Sequence, residues 1–208
     1  MCIRDRGTVA FLTVAITIQN FGPLMFHQAY NLSAPDAAAM TANFWLLNLV
    51  MLVPAGYLSD RLRVRKPLSL LLSAATLGIL AWWFFNFYPP LSHNALALVT
   101  LLLGGITASA FIPWCALYSE YLEDLSPALQ ATGWSFFQMV YRLWIVVSGL
   151  LLPYVTRVYG WQVWMEGMIA AVVIFLGSLL VLRGYWRPAT SPTATVAHGA
   201  PAHAAGGR

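Results

Sequence analysis

Six long apolar stretches, at 8–30, 38–58, 67–88, 95–118, 131–155 and 162–183, occupy most of the chain. Short polar punctuation separates them: Ser33-Ala34-Pro35-Asp36, Arg61 to Pro67, Pro89-Pro90, Glu120 to Pro127, and Arg157 to Gly160. Each stretch reaches the roughly 20 residues that cross a hydrocarbon layer. In lipid, every backbone N–H and C=O must find its partner inside a helix or a closed barrel. Barrel strands alternate over roughly 10 residues, whereas these stretches are apolar nearly all round. The pattern predicts an all-α polytopic membrane protein with six transmembrane helices over residues 8–187.

Composition agrees and narrows the class. The chain is 60% hydrophobic and 9% charged, against about 45–50% and about 25% in soluble domains. Six spans with their short connections cover residues 8–187 of the 208, so little is left for a soluble domain. The net charge of +4 would suit a nucleic-acid surface, but the cations sort by membrane side instead. With six spans both termini share a side. That side carries Arg4, Arg6, Arg61, Arg63, Arg65, Lys66, Arg183, Arg187 and Arg208, and the opposite side only Arg157. The positive-inside rule then places both termini in the cytoplasm, the expectation being a bacterial inner (plasma) membrane. Glu120, Glu123 and Asp124 break the sign pattern after span four, but acidic residues weigh little in this rule. Tyr30, Trp82, Trp83, Tyr154 and Trp161 on the outer side, and Tyr57, Tyr118 and Trp186 on the inner, read as interfacial aromatic belts.

The ends differ from the middle. Residues 188–208 are rich in Ala, Pro, Thr and Gly, the composition of a disordered cytoplasmic tail. Residues 1–7 fit no targeting signal and are expected to be an artefactual or truncated leader. Cys2 and Cys115 form no metal spacing or disulfide framework, and no metal or cofactor is expected.

The most specific stretch follows span two: Gly56-Tyr57-Leu58-Ser59-Asp60-Arg61-Leu62-Arg63-Val64-Arg65-Lys66. Gly-x-Leu-x-Asp-Arg with a basic cluster resembles the loop motif of the major facilitator superfamily, which lies between helices two and three with a weaker copy between eight and nine. Gly56, Leu58, Asp60, Arg61 and Arg65 match. Arg63 stands where the family usually has glycine, and Val64 where it usually has a basic residue. Physically, Gly56 is expected to let two helices approach closely. Asp60 can accept hydrogen bonds from Arg61 or from a helix N-terminus. A contact formed in one state only biases a conformational equilibrium, and the resemblance implies a gating latch between bundles. A second, weaker match is Glu120 to Gly133, with an acidic residue, a proline and Ala131-Thr132-Gly133 at the entry to span five; the usual arginine is absent there.

The resemblance covers about residues 8–187. It implies one six-helix bundle of a twelve-helix secondary transporter. The degenerate motif and the start of the chain favour the C-terminal half, helices seven to twelve, with an N-terminal six-helix half missing. Partners would be the lipid bilayer, a small-molecule substrate and, for symport, a coupling proton; no nucleic acid is implied.

At mid-membrane, Arg142 is the residue that topology does not explain. A charge near the centre of a span costs at least about 2.5–3.5 kcal/mol on insertion scales. Gln138 lies one turn earlier on the same face, with Trp134 and Tyr141 nearby by helical spacing. Arginine grips a carboxylate or phosphate in bidentate fashion, so this patch suits an anionic or acid-bearing solute. A structural alternative pairs Arg142 with Glu166 or with backbone carbonyls, and the two readings stand equal. Span one offers Gln19 and Asn20, then Gly22-Pro23, where a kink or break is expected, then His27. By the resemblance span one would be a cavity-lining helix, making Gln19 and Asn20 substrate contacts; hydrogen bonding between helices is the equal alternative. His27 reads better as an interface residue than as a proton site. Asn43 and Asn48 read as interhelical glue.

Two other classes fit the sequence less well. A membrane enzyme needs converging nucleophile, base or metal ligands, and no His/Asp/Glu cluster or Gly-x-Ser-x-Gly occurs. A structural or channel-like six-helix protein lacks a reason for the loop motif and Arg142. No nucleotide-binding motif supports direct ATP drive.

Overall fold

A computed structural model describes residues 2–62, 64–88 and 91–181. The expected tail, Trp186, Arg63, Arg183, Arg187 and Arg208 lie outside them. Six helices follow one another: α1 Cys2–Tyr30, α2 Ala34–Leu62, α3 Arg65–Phe85, α4 His93–Leu125, α5 Gln130–Tyr159 and α6 Trp161–Val181, with one 3-10 turn at Pro127–Leu129 before α5. Five of them, α2 to α6, are long and apolar enough to cross a membrane.

Local chemistry sets the boundaries. The Ser33 hydroxyl donates to the Asp36 carboxylate (2.6 Å) and accepts from the Asp36 N–H (3.3 Å), a reciprocal cap that starts α2. Ser92 accepts from the Ala95 N–H (3.4 Å) and starts α4. Gly160, with φ of 86°, turns α5 into α6 in a region that side-chain-bearing residues rarely adopt. With 33 residues, α4 is about 50 Å long. It therefore outruns a hydrocarbon core about 30 Å thick and carries Glu120 beyond it. The break expected at Gly22-Pro23 is not there: α1 runs on through Pro23 to Tyr30. Neighbouring helices sustain prolines inside membrane helices, and Gly22 lies hard against Thr41 of α2, where a Cβ would come within 2.6 Å of Thr41 Oγ1.

At the centre, α4 packs along α2 and α3, while α1 packs on α6 and α2, and α3 also touches α6. Lipid offers apolar side chains no hydrophobic gain from helix association, so close packing and interhelical hydrogen bonds hold such a bundle. The tightest crossing is α2 on α4. A Cβ on Gly104 would lie 2.0 Å from the Phe44 carbonyl oxygen, and one on Gly105 2.7 Å from Leu47. Beside this crossing the Asn48 amide donates to the Gly104 carbonyl at 3.1 Å, which is the interhelical role expected of it. Gly56 is not a point of close approach: a Cβ there would meet Ile112 at an ordinary 3.7 Å.

On the other side, Phe11 stacks obliquely on Phe175 (4.5 Å between centroids). The Trp164 indole donates to Thr17 (3.0 Å) and the Trp161 indole to Gln28 (3.0 Å). Helix α5 is the most sparsely packed of the six. Its first turns join α4 through Trp134 and Phe137, which pack with Trp114 and Tyr118. The Tyr118 hydroxyl donates to the Gly133 carbonyl at 3.0 Å.

The belt reading needs correction for three aromatics. Trp83, Trp161 and Tyr118 are buried in the bundle, and Trp83 donates to the Tyr30 hydroxyl at 2.7 Å. Trp82, Tyr154 and Tyr57 are exposed, as a belt requires. Sequence position near a span end gives depth but not the face.

Candidate functional site

Two groups of polar side chains stand out on this scaffold. The first is where the end of α2, the start of α3 and the end of α4 meet. Arg65, the first residue of α3, sends one guanidinium nitrogen to Asp60 Oδ1 (3.0 Å) and the other to the Glu120 carboxylate. A cation at a helix N-terminus is disfavoured by the dipole, and the two carboxylates offset that. The partner of Asp60 is thus Arg65, while Arg61 is exposed. Glu120 was visible in the sequence only as an acidic residue on the basic side of the membrane. Asp60, Arg65 and Glu120 all belong to one bundle, so this ion triad ties three of its own helices. Leu58 and Arg61 point outward and are free to face another surface. Close by, the buried Lys66 ammonium donates to the Leu180 carbonyl near the end of α6 (3.2 Å), fastening α3 to α6.

The triad's strength follows from exposure. Asp60 and Glu120 side chains are 70% and 54% exposed, and ion pairs of that kind contribute about 0–1 kcal/mol. Arg65→Gln should therefore lower the stability of the bundle by no more than about 2 kcal/mol, the sum of two such pairs, without unfolding it. Thermal melting of parent and variant at low and high salt measures this. A difference that high salt does not reduce would mean the contact is not electrostatic.

The second group is on α5 and α1. Ser135, Gln138 and Arg142 follow the i, i+3, i+7 spacing of one helix face, and all three are exposed. Tyr141 beside them is half-buried. Trp134 does not join this surface. It turns inward to Trp114 and Tyr118, and its indole donates to Ser119 (3.3 Å). Glu166 is exposed near the start of α6, and the described ion pairs are those of Arg65.

Gln19 and Asn20 are also exposed, at the point where α1 leaves its buried stretch. They are not level with Arg142. Two residues after Arg142, the Trp144 indole donates to Thr13 Oγ1 at 2.8 Å. Gln19 lies six residues past Thr13, about 9 Å further along the helix. Helix α1 thus carries its amides nearer its C-terminal end than α5 carries its guanidinium. His27 uses Nδ1–H to donate to the Leu32 carbonyl (2.7 Å), closing the end of α1, in keeping with an interface role.

No group of three or more His, Cys, Asp or Glu side chains suited to a metal occurs among the described residues. Comparison with curated proteins and with solved structures gives no match. A protein-family model described as Major Facilitator Superfamily matches residues 7–205, nearly the whole chain. With the six-helix bundle and the loop motif it spans, that match places this integral membrane protein in the major facilitator superfamily, a family of transporters and not of enzymes.

Proposed function

We propose that this chain is one bundle of a secondary transporter that moves a small anionic solute by alternating access. The observation carrying this is the direction of the mid-span polar residues. Gln138 and Arg142 on α5, and Gln19 and Asn20 on α1, are exposed on the outside of the bundle. A guanidinium presented to hydrocarbon at that depth costs at least about 2.5–3.5 kcal/mol. This face therefore meets a water-filled cavity between this bundle and a second one. In such a transporter the substrate lies near the midplane at the interface of repeats. Arg142 supplies a bidentate anion grip, Gln138 an adjacent amide, and Tyr141 a half-buried rim; Gln19 and Asn20 line the same cavity closer to the outer mouth. The bundle stands as the C-terminal half, with both termini cytoplasmic. Gly56, Leu58, Asp60, Arg61 and Arg65 form the cytoplasmic gate segment. Leu58 and Arg61 meet the second bundle there, and Asp60 and Arg65 hold the segment in place through Glu120. A proton is the coupling ion consistent with symport.

Cysteine accessibility tests the cavity. In a background with Cys2→Ser and Cys115→Ala, Gln138→Cys and Asn20→Cys are expected to react with a membrane-impermeant maleimide, because the reactive thiolate forms in water. Val173→Cys and Ile174→Cys, exposed among apolar residues of α6, are expected not to react. Equal protection of all four positions would remove the water-filled face and with it this reading.

A further inference from the structure

A crevice separate from the polar face opens where α1, α5 and α6 meet. It holds about 190 Å³ and is walled by Thr13, Trp144, Ser148, Leu151, Trp164 and Gly167, among others. Trp144 lies about 200° around α5 from Arg142, so the crevice is on the other side of that helix. No charged side chain lines it. Both indole N–H groups are already engaged, Trp144 with Thr13 and Trp164 with Thr17. The two ring systems are thereby fixed in place and present hydrocarbon to the space. Gly167 leaves its wall open, since a Cβ there would meet nothing within 4 Å.

One polar atom is left over. Ser148 is 1% exposed, and its hydroxyl has no hydrogen-bond partner. Other hydroxyls in these helices satisfy themselves on the carbonyl four residues back: Thr41, Ser73, Thr76, Thr100, Ser109 and Thr156. Ser148 does not, and it lines this crevice. A buried hydroxyl without a partner is costly, and a ligand bearing one hydrogen-bonding group relieves it.

We propose that the crevice binds a small monocyclic phenol, its ring between Trp144 and Trp164 and its hydroxyl on Ser148. Size supports a single ring, because an apolar cavity of about 150 Å³ accommodates benzene and this one is modestly larger. The indole walls favour an aromatic over an aliphatic alcohol. The lack of charge excludes the phenolate and any carboxylate. An acyl chain would fill the space yet leave Ser148 unsatisfied. The inference is independent of Arg142 and of transport, since binding alone is read.

Calorimetric titration of the full chain in lipid nanodiscs, with empty nanodiscs as the partition blank, tests it using 4-ethylphenol and ethylbenzene. A saturable component for 4-ethylphenol is expected, about tenfold tighter than for ethylbenzene, the factor one hydrogen bond contributes. Ser148→Ala should erase that preference while ethylbenzene binding persists, which also reports that the variant is folded. Gly167→Phe should remove saturable binding of both. Absence of a saturable component, a preference that survives Ser148→Ala, or binding in detergent that vanishes in lipid would each overturn the proposal, the last by assigning the crevice to a lipid chain.

Discussion

Gly104→Ala is expected to destabilise the bundle by more than about 4 kcal/mol, in the range reserved for backbone-level clashes. The added Cβ would sit 2.0 Å from the Phe44 carbonyl oxygen and 2.7 Å from its carbonyl carbon. The obstacle is backbone, so no rotamer change relieves it. Relief requires α2 and α4 to move apart by more than 1 Å, about the shortfall from van der Waals contact. That separation would unseat Phe44, which is fully buried, and break the Asn48 bond to the Gly104 carbonyl. Interhelical hydrogen bonds of this kind average about 0.6 kcal/mol in a bilayer, so most of the loss comes from packing. Gly177→Ala is the control, because a Cβ there meets nothing within 4 Å; its effect should stay within about 0.5 kcal/mol. Thermal unfolding in detergent followed by size-exclusion monodispersity compares the two. Similar melting of both variants would show that α2 and α4 do not depend on this contact.

Arg142→Ala should lower transport of an acidic solute by about 10- to 100-fold, the worth of a charge-assisted hydrogen bond of about 1.5–3 kcal/mol. The exposed guanidinium makes no described ion pair, so its removal should leave insertion and melting unchanged. Arg142→Lys keeps the charge but not the planar fork and should recover only part of the rate. Counterflow in membrane vesicles with a panel of mono- and dicarboxylates and inorganic phosphate measures this. Full activity of Arg142→Ala on every anion transported by the parent protein would eliminate Arg142 as the grip. Gln138→Ala should produce a smaller loss, since a neutral amide contributes about 0.5–1.5 kcal/mol.

The gate segment shows how far sequence reaches. Spacing located Asp60 and Arg65 on either side of one short connection between helices, since charge is excluded from the spans on either side. The bond from Arg65 to Glu120 came from fifty-five residues away along the chain, and no local rule pairs a loop with the end of a helix two elements later. The site on α5 is similar. Helical spacing put Gln138 and Arg142 on one face and Trp134 close to them, but Trp134 lies on the inner edge of that arc and α4 claims it. Ser148 gave no signal at all, because an intramembrane serine ordinarily bonds its own helix.

The sequence by itself determined the number and order of the helices. Hydrocarbon forbids unpaired backbone, so any apolar run of sufficient length has one structure available. It also assigned depth, through the few charges that water must solvate. Only the tertiary structure decided the faces. Lipid and a helical core are equally apolar, so no change in side-chain chemistry separates residues that face one from those that face the other. Trp82 and Trp83 are adjacent and identical in kind, yet one is 48% exposed and the other fully buried. The close approach at Gly104, the outward turn of Arg142 and the crevice at Ser148 all follow from how whole helices cross, which is set by packing summed over many residues.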